Sequence, residues 1–339
     1  MKRILVSVGA FVLGLVLFLF IISQVGLSQV IQQYEQTDHR HLILYIMISV
    51  SIIAVLILKW EMILRAMGHK ISFLNLLLYR QMSYSIGYVV PSFYIGGETI
   101  RALSLTRHNV PTSKAIASVF LDRAVELPFY FLLACIMFFF TLTRFAVPKS
   151  VMIILGVASL YLIFICLNFY YRMFNKQYVL SRHPLLRLFS KTKRVRTLQR
   201  KIRIVERNLI RFFNNNRKTF FFSLMLTSLL WALMIAEYKM GLLVVGYRAT
   251  IIQIYLIVTM TGIAMMIPVP AVLGVMELSQ VAVATLVGIP VQVAVALSLL
   301  IRARDILWVL SGILAYLYHG TSYMKDLVID LRNNKNGHS

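Results

Sequence analysis

The chain repeats itself: Pro91, Glu98, Pro111 and Arg123 return as Pro270, Glu277, Pro290 and Arg302, each 179 residues later. The same offset carries Thr106 onto Thr285, Ala115 onto Ala294, Ala117 onto Ala296, Leu121 onto Leu300 and Ala124 onto Ala303, and sets Asp305 at the position of Glu126. A slip of one residue aligns the turn Gly68-His69-Lys70 with Gly246-Tyr247-Arg248. The unit runs from about residue 59 to 131 and again from about 238 to 310. That is too long for a motif and marks a duplicated half. Function is expected between the halves.

Composition decides the solvent. With 59% apolar residues, 14% charged residues and a mean hydropathy of +0.79, the chain carries more apolar surface than a soluble fold of its length can bury. The expected class is an all-α polytopic integral membrane protein. Residues 4–22 follow Lys2 and Arg3 as a signal peptide would, but Ser23-Gln24-Val25-Gly26 is a poor cleavage site, so a retained first helix is expected. Further spans are read at 42–64, 112–142, 151–171, 220–243 and 291–318. Cys135 and Cys166 lie inside apolar runs without metal or redox spacing and read as packing residues.

Two apolar stretches, 71–105 and 251–288, are interrupted. Pro91, Gly96 and Gly97 break the first; Pro268, Pro270 and Gly274 break the second. Proline removes a backbone donor and glycine admits conformations closed to other residues, so each stretch should be two short helices joined by irregular backbone. Within a bilayer such backbone survives only under protein or beside a wet cavity. Both stretches are therefore read as re-entrant helical hairpins. The count is about six transmembrane helices plus two hairpins, or eight or more spans if the arms are counted.

Charge orients this scheme. Fifteen of the 35 Lys and Arg lie between Arg172 and Lys218, which places that segment, and both termini, in the cytoplasm. The domain plan is one membrane domain, 1–320, with a basic cytoplasmic segment at 172–218 and a polar cytoplasmic tail at 321–339. Within the basic segment, Leu198, Ile202, Val205 and Leu209 share a helical face between Arg200, Lys201, Arg203, Arg207 and Arg211. This pattern suits a helix lying on the inner leaflet or docking a partner. The net charge of +23 is topogenic and calls for no nucleic acid. Three spans separate the starts of the two repeats, an odd number, so the repeats should be inverted, an architecture that suits alternating access.

Arg123 and Arg302 each lie 12 residues beyond a helix-starting proline, about 18 Å into helices that enter from opposite faces. An Arg near the bilayer centre must face a partner or a cavity. Arg123 with Glu126 and Arg302 with Asp305 are spaced for intrahelical pairs, Asp122 stands beside them, and Glu98 and Glu277 open the second hairpin arms, where a carboxylate suits the helix N-terminus. These charges either neutralise one another to lock the halves in register or, with the helix N-termini after Gly97 and Gly274, form a midplane anion site fit for a phosphate. Arg101 is included in that site. Lys59, Glu61, Glu237 and Lys239 form a weaker set, read as interface residues that snorkel to the surface.

The run from Pro91 to Glu98 with Arg101, the pair Asp122-Arg123, and Pro268-Val269-Pro270 with Gly274, Glu277 and Arg302 resemble the lysylphosphatidylglycerol synthase transmembrane family. This is the flippase-type membrane domain of the multiple peptide resistance factor, also found as stand-alone prokaryotic membrane proteins. The resemblance implies an inner-membrane protein that moves phospholipid or another lipid-linked anion between leaflets. Two departures stand out. The chain ends about 20 residues after its last span, so aminoacyl transfer is not expected, and Ala271 stands where Gly often follows the second proline of the later motif.

The expected function is a lipid translocator of flippase or scramblase type. The alternatives are an intramembrane enzyme using Glu98, Glu277 or Asp122 as acid or base, and a scaffold for envelope-lipid enzymes. The sequence has no HExxH, no GxSxG and no metal spacing, and His39 and His41 are placed in a short external loop. No cofactor or metal is expected. The expected partners are phospholipids or lipid-linked anions, with homo-oligomerisation left open.

Overall fold

The computed structural model describes residues 27–35, 38–89, 95–144, 149–179, 181, 193–265, 267 and 269–336, with isolated positions before residue 27. The expected span at 4–22 and the break residues Pro91 and Pro268 lie outside the described residues, the span almost entirely. Among the described residues the protein is all-helical: α1 (Leu27–Glu35), α2 (His39–Ala66), α3 (Phe73–Val89), α4 (Ile95–Thr106), α5 (Thr112–Arg144), α6 (Lys149–Phe174), α7 (Lys193–Asn215), α8 (Arg217–Val244), α9 (Ile251–Ala264), a 3₁₀ turn (Pro270–Val272), α10 (Val275–Leu286) and α11 (Val291–Asn336).

The duplicated residues make duplicated turns. Gly68 and Gly246, both at positive φ, close α2 and α8 with the same paired bonds: Gly68 N to Arg65 O and His69 N to Leu64 O in one, Gly246 N to Leu243 O and Tyr247 N to Leu242 O in the other. This is a Schellman closure, in which a left-handed residue lets the chain satisfy the last carbonyls. Asn109 and Gly288 take up positive φ after α4 and α10, and the carbonyls of Pro111 and Pro290 accept the first bonds of α5 and α11. Both segments therefore contain, in order, a long helix, a shorter one, a 12-residue helix and a long helix.

Each repeat has its own apolar core. Ile57, Trp60, Leu76, Leu105 and Ala115 centre the first, and Leu242, Ile257, Ala284, Ala296 and Ile301 the second. The halves join where α2 packs on α8 and α3 packs on α11. Small residues allow the latter approach: a Cβ on Gly312 would fall 2.1 Å from the Gln81 carbonyl oxygen of α3. Ser85 Oγ donates to Val309 O across the same seam at 2.8 Å.

The outside is apolar and the inside is charged, the reverse of a soluble protein. Ile153, Val157, Leu160, Phe164, Leu167 and Tyr171 form one exposed stripe along α6, whereas Lys59, Arg101, Asp122, Glu237, Glu277 and Asp305 are buried. Hydrocarbon is the solvent that suits such a surface. α2 and α8 are long and apolar enough to cross a bilayer. The shorter arms are not: α4 and α10, at 12 residues, reach about 18 Å against a core of about 30 Å.

Three details differ from the sequence reading. α2 begins at His39 behind the cap residue Asp38, whose carboxylate accepts Arg40 N at 2.9 Å, so His39 and His41 lie in a helical turn and not in a loop. α11 continues to Asn336 through the stretch read as a tail, because no proline or cap interrupts it. In α7 only the later part docks, with Leu209, Phe212 and Phe213 buried beside Met173 and Phe220, while Leu198 is exposed. The buried Glu206 carboxylate anchors this helix by accepting Val179 N, Ser181 N and the Ser181 hydroxyl.

Candidate functional site

Among the described residues, paired charges are buried in two regions, one around Arg123 and one around Arg302 and Arg304. In both, the Arg of the long helix reaches the Glu in the first turn of the 12-residue helix: Arg123 Nε to Glu98 Oε1 at 2.8 Å, and Arg302 Nε to Glu277 Oε1 at 2.7 Å. The spacing is 25 residues in each case. A carboxylate in a first helical turn is held by the unpaired N–H groups there, which makes it a fixed partner for the arginine. α4 begins at Ile95, so Gly96 and Gly97 lie within its first turn and not before it. Gly97 is needed there because a Cβ would fall 2.3 Å from the Ser83 carbonyl oxygen.

Beyond that shared bond the clusters diverge. In the first, the fully buried Asp122 is a hub for three cations: Lys59 at 3.1 Å, Arg101 at 2.8 Å and Arg80 at 3.2 Å. Lys59 also meets Glu126 at 2.5 Å, Arg101 also meets Glu98 at 2.9 Å, and Arg123 also meets Glu126 at 2.9 Å. Arg101 is additionally stacked over Trp60, its guanidinium carbon 4.1 Å from the ring centroid. Among the described residues, Lys59, Arg80, Arg101 and Arg123 are set against Glu98, Asp122 and Glu126. Arg123 is the open member, with 44% of its side chain accessible.

The second cluster is closed. Arg302 donates Nε and Nη2 to the two oxygens of Glu277, Nη1 to the Tyr88 hydroxyl and the Ala271 carbonyl, and Nη2 again to the Val272 carbonyl. These five bonds use all five donors that a guanidinium has. Ala271 and Val272 sit at φ 54° and 51°, in the left-handed region that disfavours a Cβ and is strained for a β-branched residue. Gly274, at φ 74°, then leads into α10. Arg302 is thus the clasp of the broken segment. Expected to pair with Arg302, Asp305 instead meets Arg304 at 2.8 Å and accepts the Tyr84 hydroxyl at 2.9 Å, and Arg304 reaches Glu237 at 2.7 Å.

Arg123 and Arg302 therefore belong to sets with no residue in common, and only Arg123 is open. Lys59 and Glu237, read as snorkelling residues, are instead buried members of the two clusters, while Glu61 pairs with Arg65 and Lys239 is exposed. The reason is helix phase: Lys59 and Glu237 face the neighbouring long helices, and burial there is tolerable because each meets an opposite charge. Arg80, Arg304, Tyr84, Tyr88 and Trp60 were not among the expected site residues. A signal existed for Arg80 and Arg304, each a charge within an otherwise apolar stretch. None existed for the tyrosines, whose partners lie more than 200 residues away.

An apolar exterior around paired intramembrane charges defines a multi-pass helical membrane protein. The chain matches the lysylphosphatidylglycerol synthase TM region over residues 4–312 and belongs to that family, a membrane family linked to lipid metabolism. It is similar to the UPF0104 membrane protein PH1989 of Pyrococcus horikoshii, 26% identical over 304 residues that cover 86% of this chain and 90% of the relative. It is also similar to the UPF0104 membrane protein MJ1595 of Methanocaldococcus jannaschii, 27% identical over 139 residues, 40% of this chain and 41% of the relative.

Proposed function

We propose that this protein moves a phospholipid or another phosphate-bearing lipid between the leaflets of a prokaryotic plasma membrane, in which both its termini are cytoplasmic. The observation that carries this reading is the exposure of Arg123, 44% accessible at the edge of a buried set of charges. An arginine 44% accessible and about 17 Å into α5 cannot face hydrocarbon, so it borders a polar opening. A phosphate is an anion that accepts donors from a guanidinium in a matching geometry. Arg80 lies within electrostatic reach of Arg123 and adds to the attraction.

In this reading the duplicated halves are inverted and the broken segments are re-entrant, which would let the headgroup be exposed to either side while the acyl chains stay in the bilayer. The second cluster serves as the fixed half, with Arg302 holding its break in shape. The test is headgroup-labelled lipid in liposomes containing the purified protein, read with a quencher that cannot cross. Anionic lipid should become accessible from the inner leaflet at a rate that drops in Arg123→Ala. Equal rates in protein-free vesicles, or in Arg123→Ala, would remove the assignment.

A further inference from the structure

Among the described residues the second cluster, Arg302 and Arg304 against Glu237, Glu277 and Asp305, is one positive charge short. Glu237 and Asp305 share a single guanidinium, that of Arg304, at 2.7 and 2.8 Å. Arg302 makes its own ion pair with Glu277. Each of the two carboxylates has a buried oxygen without a hydrogen-bond donor, Oε1 of Glu237 and Oδ2 of Asp305. The Tyr45 hydroxyl, on a residue only 2% exposed, is likewise unpartnered, and its charged neighbours are Arg304, Glu237 and Asp305. A second carboxylate without a counter-charge is among the least tolerable things to bury in a low-dielectric interior.

We infer that the Glu237–Asp305 pair is a proton-binding site, and that its occupancy couples lipid movement to a proton gradient. A proton suits the place better than a metal cation. Three unpartnered oxygens beside a fixed guanidinium are too few to replace a hydration shell, whereas a proton needs one acceptor and restores neutrality. The step is carboxylate plus proton giving carboxylic acid, the proton entering from the aqueous phase on one side and leaving to the other.

The groups facing the pair come from four helices: Tyr45 on α2, Tyr84 on α3, Tyr238 on α8 and Arg304 on α11. Tyr84 donates to Asp305 across the seam between the repeats, and Tyr238 is engaged with Thr261. Loss of the proton returns a negative charge to this seam and strengthens the hold on the Tyr84 hydroxyl, so protonation biases the packing of α3 on α11. Asp305 lies about 21 Å into α11, within the depth of the hydrocarbon core.

The coupling rests on the lipid-transport reading above; the proton site does not. Infrared difference spectra of the protein in liposomes, recorded across the pH range in which it stays folded and in light and heavy water, should show the carbonyl band of a buried protonated carboxyl. That band should disappear in Glu237→Gln or in Asp305→Asn. Its absence from the native protein, or its persistence in both variants, overturns the site without requiring either variant to transport. Lipid movement is then compared with and without an imposed pH gradient, with a severalfold acceleration expected in the native protein. Lipid that moves at one rate regardless of gradient refutes the coupling and spares the transport reading. A titrating band in a protein that moves no lipid leaves the proton site standing and refutes transport and coupling together.

Discussion

The two charge clusters share one residue pattern in the sequence and differ in their surroundings. Both keep the bond from the long-helix arginine to the glutamate at the start of the 12-residue helix. Around that bond, the first repeat carries Lys59 on its leading long helix where the second carries Glu237, and Arg101 where the second carries the neutral Gln280. The first ends with an open arginine, the second with an extra carboxylate and a sealed arginine. Exposure alone would suggest that one site is active and one is structural. On the proposed reading, charge divides the tasks instead, one half suited to an anionic headgroup and the other to a proton. A symmetric pair of sites could bind the same ligand twice; an asymmetric pair can link two ligands.

The sharpest way to break this comparison is to remove the same residue from each half. Arg302→Ala strands Glu277 and the Ala271 and Val272 carbonyls in the interior, and stability should fall by about 3–5 kcal/mol, as for a buried ion pair deprived of one partner. Thermal unfolding in detergent would show it. Arg302→Lys should recover little, since an ammonium has three donors where five bonds are made. Arg123→Ala should behave differently: Glu98 keeps Arg101, Glu126 keeps Lys59, and the stability change should stay within about 1 kcal/mol because the side chain is half open. Lipid movement should nevertheless fall about 10- to 100-fold, the loss of one hydrogen bond to a charged group worth about 1.5–3 kcal/mol. If both variants lose stability alike, the division of roles is wrong.

Much of this was legible in the residues. Apolar length placed α2, α5, α6 and α8 and the start of α11 within a few residues, because a helix whose outer face meets hydrocarbon announces itself by composition. The repeat offset located the Schellman turns at Gly68 and Gly246 and the paired arginines. The fate of those arginines was not legible: whether Arg302 is open or sealed depends on two backbone carbonyls and on Tyr88, and carbonyl direction has no sequence signature. Lys59 and Glu237 were misplaced for a related reason. A charge near the end of an apolar run can reach the interface or turn inward, and only the phase of the neighbouring helices decides.

The seam between repeats should be sensitive to volume. Gly312→Ala would bring a methyl 2.1 Å from the Gln81 carbonyl oxygen and 2.0 Å from Ser85 Oγ. The serine can rotate away but the backbone cannot, so α3 and α11 must separate, at about 1–3 kcal/mol. Since Tyr84 and Tyr88 reach the second cluster from α3, that variant should also weaken the second cluster while leaving the first intact. Cysteine pairs placed across each cluster and scored for crosslinking would separate the two, and equal loosening of both would mean that the seam does not serve the second cluster specifically.

The smallest effect concerns Ala271, which occupies a left-handed conformation at φ 54° where the related pattern often has glycine. A left-handed alanine is disfavoured by about 1–2 kcal/mol, and the extra freedom of glycine in the unfolded chain offsets about 0.4–1 kcal/mol of the relief, so Ala271→Gly should raise stability by about 1 kcal/mol or less. Arg302 determines how this gain is distributed. If its bonds to the Ala271 and Val272 carbonyls are what hold the break in its strained shape, the gain should appear in the native background and shrink in Arg302→Lys, where the backbone is free to relax. The two substitutions would then be non-additive, as expected for groups in direct contact. An identical gain in both backgrounds would mean that the flanking prolines alone impose the strain. Arg302 would then be a passenger on a break that shapes itself, and the contrast between a clasp in one repeat and an open arginine in the other would lose its structural half.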